Sequence, residues 1–176
     1  MGTRPPGWHA ECAAMALHTF GPAVDVHAGG GDLRFPHHAY HAAMAEAFTG
    51  VRPYARAWLH VGTVTVDGAK MAKSAGNLVL VDELLAGHPA AVVRLMILDR
   101  RWAESWDYRP GLLAAAQARL DSLYRAAART GRAEPAALAE LGRLLAIDLD
   151  VPAALDLAID SGGGPARTLA AVLGLS

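Results

Sequence analysis

The chain carries a single cysteine, Cys12, in 176 residues, so it cannot build an internal disulfide framework. It also lacks a surplus of either charge: 16 Lys and Arg stand against 17 Asp and Glu, a formal net charge of −1. Nucleic-acid binders normally show a basic excess, which leaves only a local basic patch for any RNA contact. No apolar run reaches the roughly 20 residues that a membrane helix needs. The N-terminal stretch MGTRPPGWHAEC has no apolar signal core, so a cytoplasmic protein with no membrane partner is expected. Charged residues make up only 19% and hydrophobic residues 53%, a balance that argues for a folded chain rather than a disordered one. There is no internal repeat and no low-complexity linker.

The residues that are present divide near position 87. Before it lie glycine clusters, most of the histidines and strand-like alternation; after it the chain is rich in Ala, Leu and Arg and reads as successive helices. The expected organisation is therefore one unit over 1–87 and a helical unit over 88–176. Helical spacing covers Glu11 to Thr19, and Ala23 to His27 alternates like a short strand. Ala28 to Asp32 reads as a glycine loop, and an alanine-rich helix over His38 to Phe48 follows Pro36. Trp58 to Val66 is the clearest strand pattern, ending at the turn pair Asp67-Gly68. Further helices are expected over Asp82 to Leu85, Pro89 to Leu98, Pro135 to Leu145 and Pro152 to Ile159. Between Gly111 and Ala128 an amphipathic helix places Leu112, Leu113, Ala116, Leu120, Leu123 and Tyr124 on one stripe. Ser161 to Pro165 reads as a loop before a short last helix.

Three groups of residues carry chemistry. Cys12, His37 and His41 are ligand types that zinc accepts, and two histidines four apart share one helix face. On spacing alone, a buried Cys12 with surface or capping histidines is the favoured reading over a metal site. HHAYH lacks the glutamate of a zinc-protease HExxH helix, with His38 in its place, which argues against a protease. Lys70 and Lys73, in DGAKMAKS after the strand, could both reach phosphate oxygens, or could simply be solvated. In HAGGGD, Gly30 and Gly31 permit close backbone approach to a ligand, and Asp32 could hold an amine or ribose hydroxyls; an ordinary turn is the alternative.

Taken in order, GWHAECAAMAL, DVHAGGGDLRFPHHAYHAAMAEAFTG and WLHVGTVTVDGAKMAKSAGN resemble the cysteinyl-tRNA synthetase superfamily. Its corresponding strings read close to GWHIECSAM, HGGGSDLxFPHHENE and DGEKMSKSxGN, and the resemblance covers roughly residues 5–100. It implies an α/β fold: the C-terminal half of a Rossmann-like class I synthetase catalytic domain, followed by a helical bundle. It implies that Cys12 and His37 are zinc ligands and that His41 stands where the family has a glutamate ligand. It implies that Trp8, Gly30, Gly31 and Asp32 line the cysteine site. Val64 matches a strand position whose backbone faces adenine, and Lys70 and Lys73 match the lysines of the KMSKS loop, with Ala72 in place of its first serine.

Two branches share these strings, the cysteinyl-tRNA synthetases and the mycothiol-pathway cysteine:glucosaminyl-inositol ligase. Asn77 to Val81, Trp106 to Tyr108 and Asp148 to Leu155 resemble the second branch more. The activity implied is ATP-dependent cysteine activation, with transfer to an amine sugar or to tRNA. The family's HIGH-type signature and a further zinc cysteine are absent, so a partial or split enzyme working with an N-terminal half-synthetase is expected. The alternative is a non-catalytic zinc-binding paralogue or scaffold of the same descent.

Overall fold

A computed structural model describes residues 7–130 and 135–176. The first six residues of the stretch read for a signal lie outside it. Internal packing divides the chain into two units at Thr63/Val64.

The first unit is a β-α-β layer preceded by a helix. α1 (Trp8–Phe20) is alanine-rich with a single β-branched residue, a composition that favours helix, and its backbone closes at Gly21. β1 (Val24–Gly30) and β2 (Ala55–Val61) pair in parallel, in register from Val24 opposite Ala55 to Gly30 opposite Val61. Parallel neighbours need a long crossover, and α2 (Ala39–Thr49) supplies it while packing against α1. The buried core is small: Ala45, Tyr54 and Ala55, with Leu17, Val24 and Ala42 against them.

Two expectations change here. The glycine run is strand through Gly30, and only Gly31–Leu33 form a turn, a single 3-10 one. The expected strand over Trp58 to Val66 is two strands in two different sheets, interrupted at Gly62-Thr63.

The second unit begins with β3 (Val64–Val66) and β4 (Ala69–Lys70), an antiparallel hairpin. Its two turn residues, Asp67 and Gly68, have φ of 51° and 77°, the left-handed pair that a tight hairpin turn demands. β5 (Trp106–Tyr108), which the sequence pattern did not show, pairs in parallel with β3 to give the order β4-β3-β5. This ladder ties residues 64–70 to the helical part, so the packing boundary falls earlier than the compositional change near 87.

Among the described residues six helices follow the hairpin or flank β5: α3 (Val81–Gly87), α4 (Ala90–Leu98), α5 (Gly111–Ala127), α6 (Pro135–Asp148), α7 (Val151–Ser161) and α8 (Gly163–Val172). The stretch expected as a loop, Ser161 to Pro165, is the end of α7 and the start of α8. Of the α5 stripe, Leu113, Ala116, Leu120 and Leu123 are buried, while Tyr124 stays partly exposed and donates its hydroxyl to the Leu175 carbonyl. These residues meet Leu95, Leu155 and Leu169 in one continuous core. At the edge of the core Arg119 bridges Asp99 at 3.1 Å and Asp156 at 2.7 Å. Asp150 caps α7 by accepting from the Ala153 N–H at 3.2 Å.

Candidate active site

The first unit gathers imidazoles. Trp8, His9 and Cys12 occupy the first turns of α1; spacings of three and four put Cys12 on the same side as the other two. A kinked turn at residues 34–38 delivers His37 and His38, and α2 carries His41 one turn on. β1 contributes His27, and β2 contributes Trp58 and His60, two apart and so on one face.

The contacts among them are close. Trp8 stacks on His37 with ring centroids 3.8 Å apart and planes 10° from parallel. His9 Nδ1 lies 2.5 Å from His37 Nδ1, and His38 Nδ1 lies 2.9 Å from His60 Nε2, so in each pair one ring must donate and the other accept. His27 meets His38 edge-on at 4.5 Å and His41 at 4.9 Å.

Burial and mutual repulsion keep His27, His37, His38 and His41 uncharged. His38 and His41 are pushed down to about 4, in each case mainly by desolvation and then by His27. His27 and His37 are lowered as well, again chiefly by burial. Near neutral pH His27, His37, His38 and His41 are neutral imidazoles with lone pairs available to a hydrogen-bond donor or a metal. One such lone pair or N–H is conspicuous: His41 Nε2 is buried with no hydrogen-bond partner, as is the Tyr54 hydroxyl, and their rings lie 5.0 Å apart. Each unpaired buried group costs about 1–3 kcal/mol, a penalty a bound group would relieve.

Gly29 explains how His38 fits. A Cβ at Gly29 would lie 2.5 Å from His38 Cε1, so only glycine lets the ring lie against the strand. Gly30 stands in the same relation to the Asp32 carboxylate, at 2.5 Å from Oδ1. Gly31 follows in the turn that bears Asp32, and the Asp32 charge raises the His38 pKa against the dominant lowering.

The expected metal set is only partly assembled. His37 and His41 are both buried, with ring centroids 6.4 Å apart, and Cys12 is a half-buried free thiol. No three His, Cys, Asp or Glu side chains among the described residues are grouped to hold one ion. In donor chemistry the residues suit zinc, through the unpartnered His41 Nε2 and the neutral rings. In position His37 is engaged with His9 instead.

Val64, Lys70 and Lys73 belong to the second unit. The Val64 carbonyl accepts from the Met71 N–H at 2.9 Å, Lys70 closes the hairpin opposite Thr65, and Lys73 opens a 3-10 turn. Both lysines are exposed. Sequence reasoning missed His9, His27, His38, His60 and Tyr54. His27 opens the HAGGGD string and His38 lies within HHAYH, but neither string gave those two histidines a role of their own.

Residues 1–118 match the family model described as tRNA synthetases class I (C) catalytic domain. The chain belongs to this class I synthetase family. It is 49% identical, over 97% of its length, to the L-cysteine:1D-myo-inositol 2-amino-2-deoxy-alpha-D-glucopyranoside ligase of Kineococcus radiotolerans, covering 41% of that protein. It is 43% identical to the cysteine–tRNA ligase of Xanthomonas euvesicatoria pv. vesicatoria over 90% of its own length and 33% of that protein's. The chain thus spans about two fifths or less of these family members.

The LeuRS of Agrobacterium radiobacter K84 agnB2, solved in a ternary complex with tRNA and LeuAMS, matches 86% of the chain at a TM-score of 0.61 and 15% identity. That likeness shows the fold alone: mixed α/β, with Rossmann-like sheets and helices, as the sequence implies. No helix among the described residues is long and apolar enough to cross a membrane.

Proposed function

We propose that this chain is part of a cysteine ligase that activates cysteine with ATP and passes the acyl group to the amine of an amino-glucoside of inositol. The observation that carries the reading is the 49% identity, across nearly the whole chain, to a ligase named for those two substrates. Transfer to tRNA is the competing acceptor, and the net charge of −1 favours the sugar, because a polyanion needs a basic surface.

In the first step a cysteine carboxylate oxygen attacks the α-phosphorus of ATP, the bond to pyrophosphate breaks, and cysteinyl-adenylate forms. In the second the acceptor amine attacks the acyl carbon and AMP leaves. Lys70 and Lys73, exposed ammonium groups on a short loop, would stabilise the departing pyrophosphate charge. Trp8 and Asp32 would bind the cysteine, with Gly30 and Gly31 allowing it to approach the backbone. Val64 would line the adenine site through its main chain.

Zinc belongs to the same reading: Cys12, His37 and His41 would hold it, and it would select the substrate by its preference for sulfur over oxygen. A Cys12→Ala chain should retain less zinc by mass spectrometry; equal content removes Cys12 from the ligand set.

The rest of the family fold would come from a nucleotide-binding half-synthetase. Cysteine-dependent exchange of pyrophosphate into ATP tests the whole reading, using the chain alone and with the part of the Kineococcus ligase it does not match. Exchange only in the mixture is expected. No exchange in either sinks the enzyme and leaves the non-catalytic zinc-binding paralogue.

A further inference from the structure

The loop that carries Lys70 and Lys73 has almost no apolar anchorage. Residues 67–70 and 73–76 are exposed, and Met71 and Ala72 are half-buried. Its shape must come from hydrogen bonds: those of the hairpin and turn backbone, and those of two side chains beyond the lysines, Asp107 and Asn77.

At the root of the loop, Asp107 on β5 accepts from the Thr65 hydroxyl at 2.7 Å and from the Gly68 N–H at 3.0 Å, both through Oδ1. Its Oδ2 accepts from Arg109 Nε at 3.1 Å. Across the loop, Asn77 Oδ1 accepts from the Ala72 N–H at 2.9 Å, and Asn77 Nδ2 donates to the Lys70 carbonyl at 3.1 Å. The first set fixes strand β3 and the hairpin turn. The second joins the backbone before Met71 to the backbone after it, in the stretch between the two lysines.

We infer that Asp107 and Asn77 are positioning residues: together they clasp the lysine loop so that Lys70 and Lys73 are preset to meet phosphate. The inference rests on the phosphate role of the lysines proposed above. A loop held in advance loses less entropy on binding, and this is how a side chain that never touches the nucleotide can strengthen its binding. The Gly68 N–H, then the Thr65 hydroxyl and Arg109, hold the Asp107 carboxyl below its usual range, so the root of the clasp is charge-assisted.

The test uses the full chain, mixed with the unmatched part of the Kineococcus ligase for the ATP measurement, with Asp107→Ala, Asp107→Glu and Asn77→Ala, alongside Lys70→Ala and Lys73→Ala. Three quantities are measured: hydrogen exchange of the amides over residues 68–76, Mg·ATP affinity by calorimetry, and the melting of the helical core. Loss of one such bond should speed exchange about tenfold in Asp107→Ala and Asn77→Ala. ATP affinity should fall severalfold, Asp107→Glu should recover part of it, and core melting should hold.

Unchanged exchange in both clasp variants overturns the inference. So does raised exchange with unaltered ATP affinity, provided the lysine variants weaken ATP. If neither lysine variant alters ATP affinity, the phosphate reading fails instead, and raised exchange in Asp107→Ala still upholds the clasp.

Discussion

A methyl group on Gly29 would have to occupy space held by the His38 ring, which is itself buried and hydrogen-bonded to His60. At Gly30 the added atom would meet only the end of the Asp32 carboxylate, which can rotate away. Gly29→Ala should therefore destabilise the first unit by about 1–3 kcal/mol, the range for overpacking, and Gly30→Ala by clearly less. Urea unfolding of the two variants checks this, and equal midpoints would show that His38 yields freely.

The same neighbourhood shows what a sequence reveals of a site. Cys12, His37 and His41 could be picked out from ligand type and helical spacing, then assigned roles by resemblance. His9, His27, His38 and His60 come from α1, β1, the 34–38 turn and β2, and only the pairing of the strands sets them side by side. No spacing along the chain encodes that convergence. Nor does spacing reveal that His37 is stacked on Trp8 and paired with His9 rather than aligned with Cys12.

At the scale of elements, long amphipathic segments were legible because one periodicity ran through them. The stripe on α5 correctly named Leu113, Ala116, Leu120 and Leu123 as core. Leu123 is fully buried among residues of the helical core, so Leu123→Ala should cost about 2–5 kcal/mol, read as a lower melting temperature or urea midpoint of that unit. Tyr124→Phe, which removes only a hydroxyl at the partly exposed rim, should cost about 0.5–1.5 kcal/mol.

Short strands were the least legible. β5 has three residues, with Asp107 at its centre, too few to display alternation. The run from Trp58 to Val66 looked continuous because β-rich residues lie on both sides of Gly62-Thr63; its division follows from strand partners, β1 for one part and β4 and β5 for the other. Ser161 to Pro165 looked like a loop because Gly and Pro punctuate it, yet proline fits the first turn of α8 as readily as it fits a loop.

For the whole molecule the decisive fact is how much apolar surface the first unit carries on its own helices. A two-stranded parallel sheet is marginal alone, and parallel sheets are normally sheltered on both faces. Here Phe48 is 85% exposed and Phe20 69%, and an apolar groove lies along α1 and α2, lined by Ala13, Ala14, Leu17, Met44 and Phe48. Relatives that match the chain over nearly all its length are more than twice as long. Exposed apolar surface of this kind marks an interface, and the rest of the family fold is what would cover it under the proposed function.

Placing a charge at the most exposed of these positions should separate docking from folding. Phe48→Asp removes little buried area, so the chain's own melting temperature should stay within a few degrees of the parent. Its association with the unmatched part of the Kineococcus ligase should weaken by tenfold or more, the loss expected when a central aromatic contact is replaced by a desolvated charge. Light scattering of the mixture and calorimetric titration measure this directly. Equal affinity for both chains would show that the partner is held elsewhere. A loss of affinity paired with loss of pyrophosphate exchange would tie the bare α1–α2 face to the activity itself.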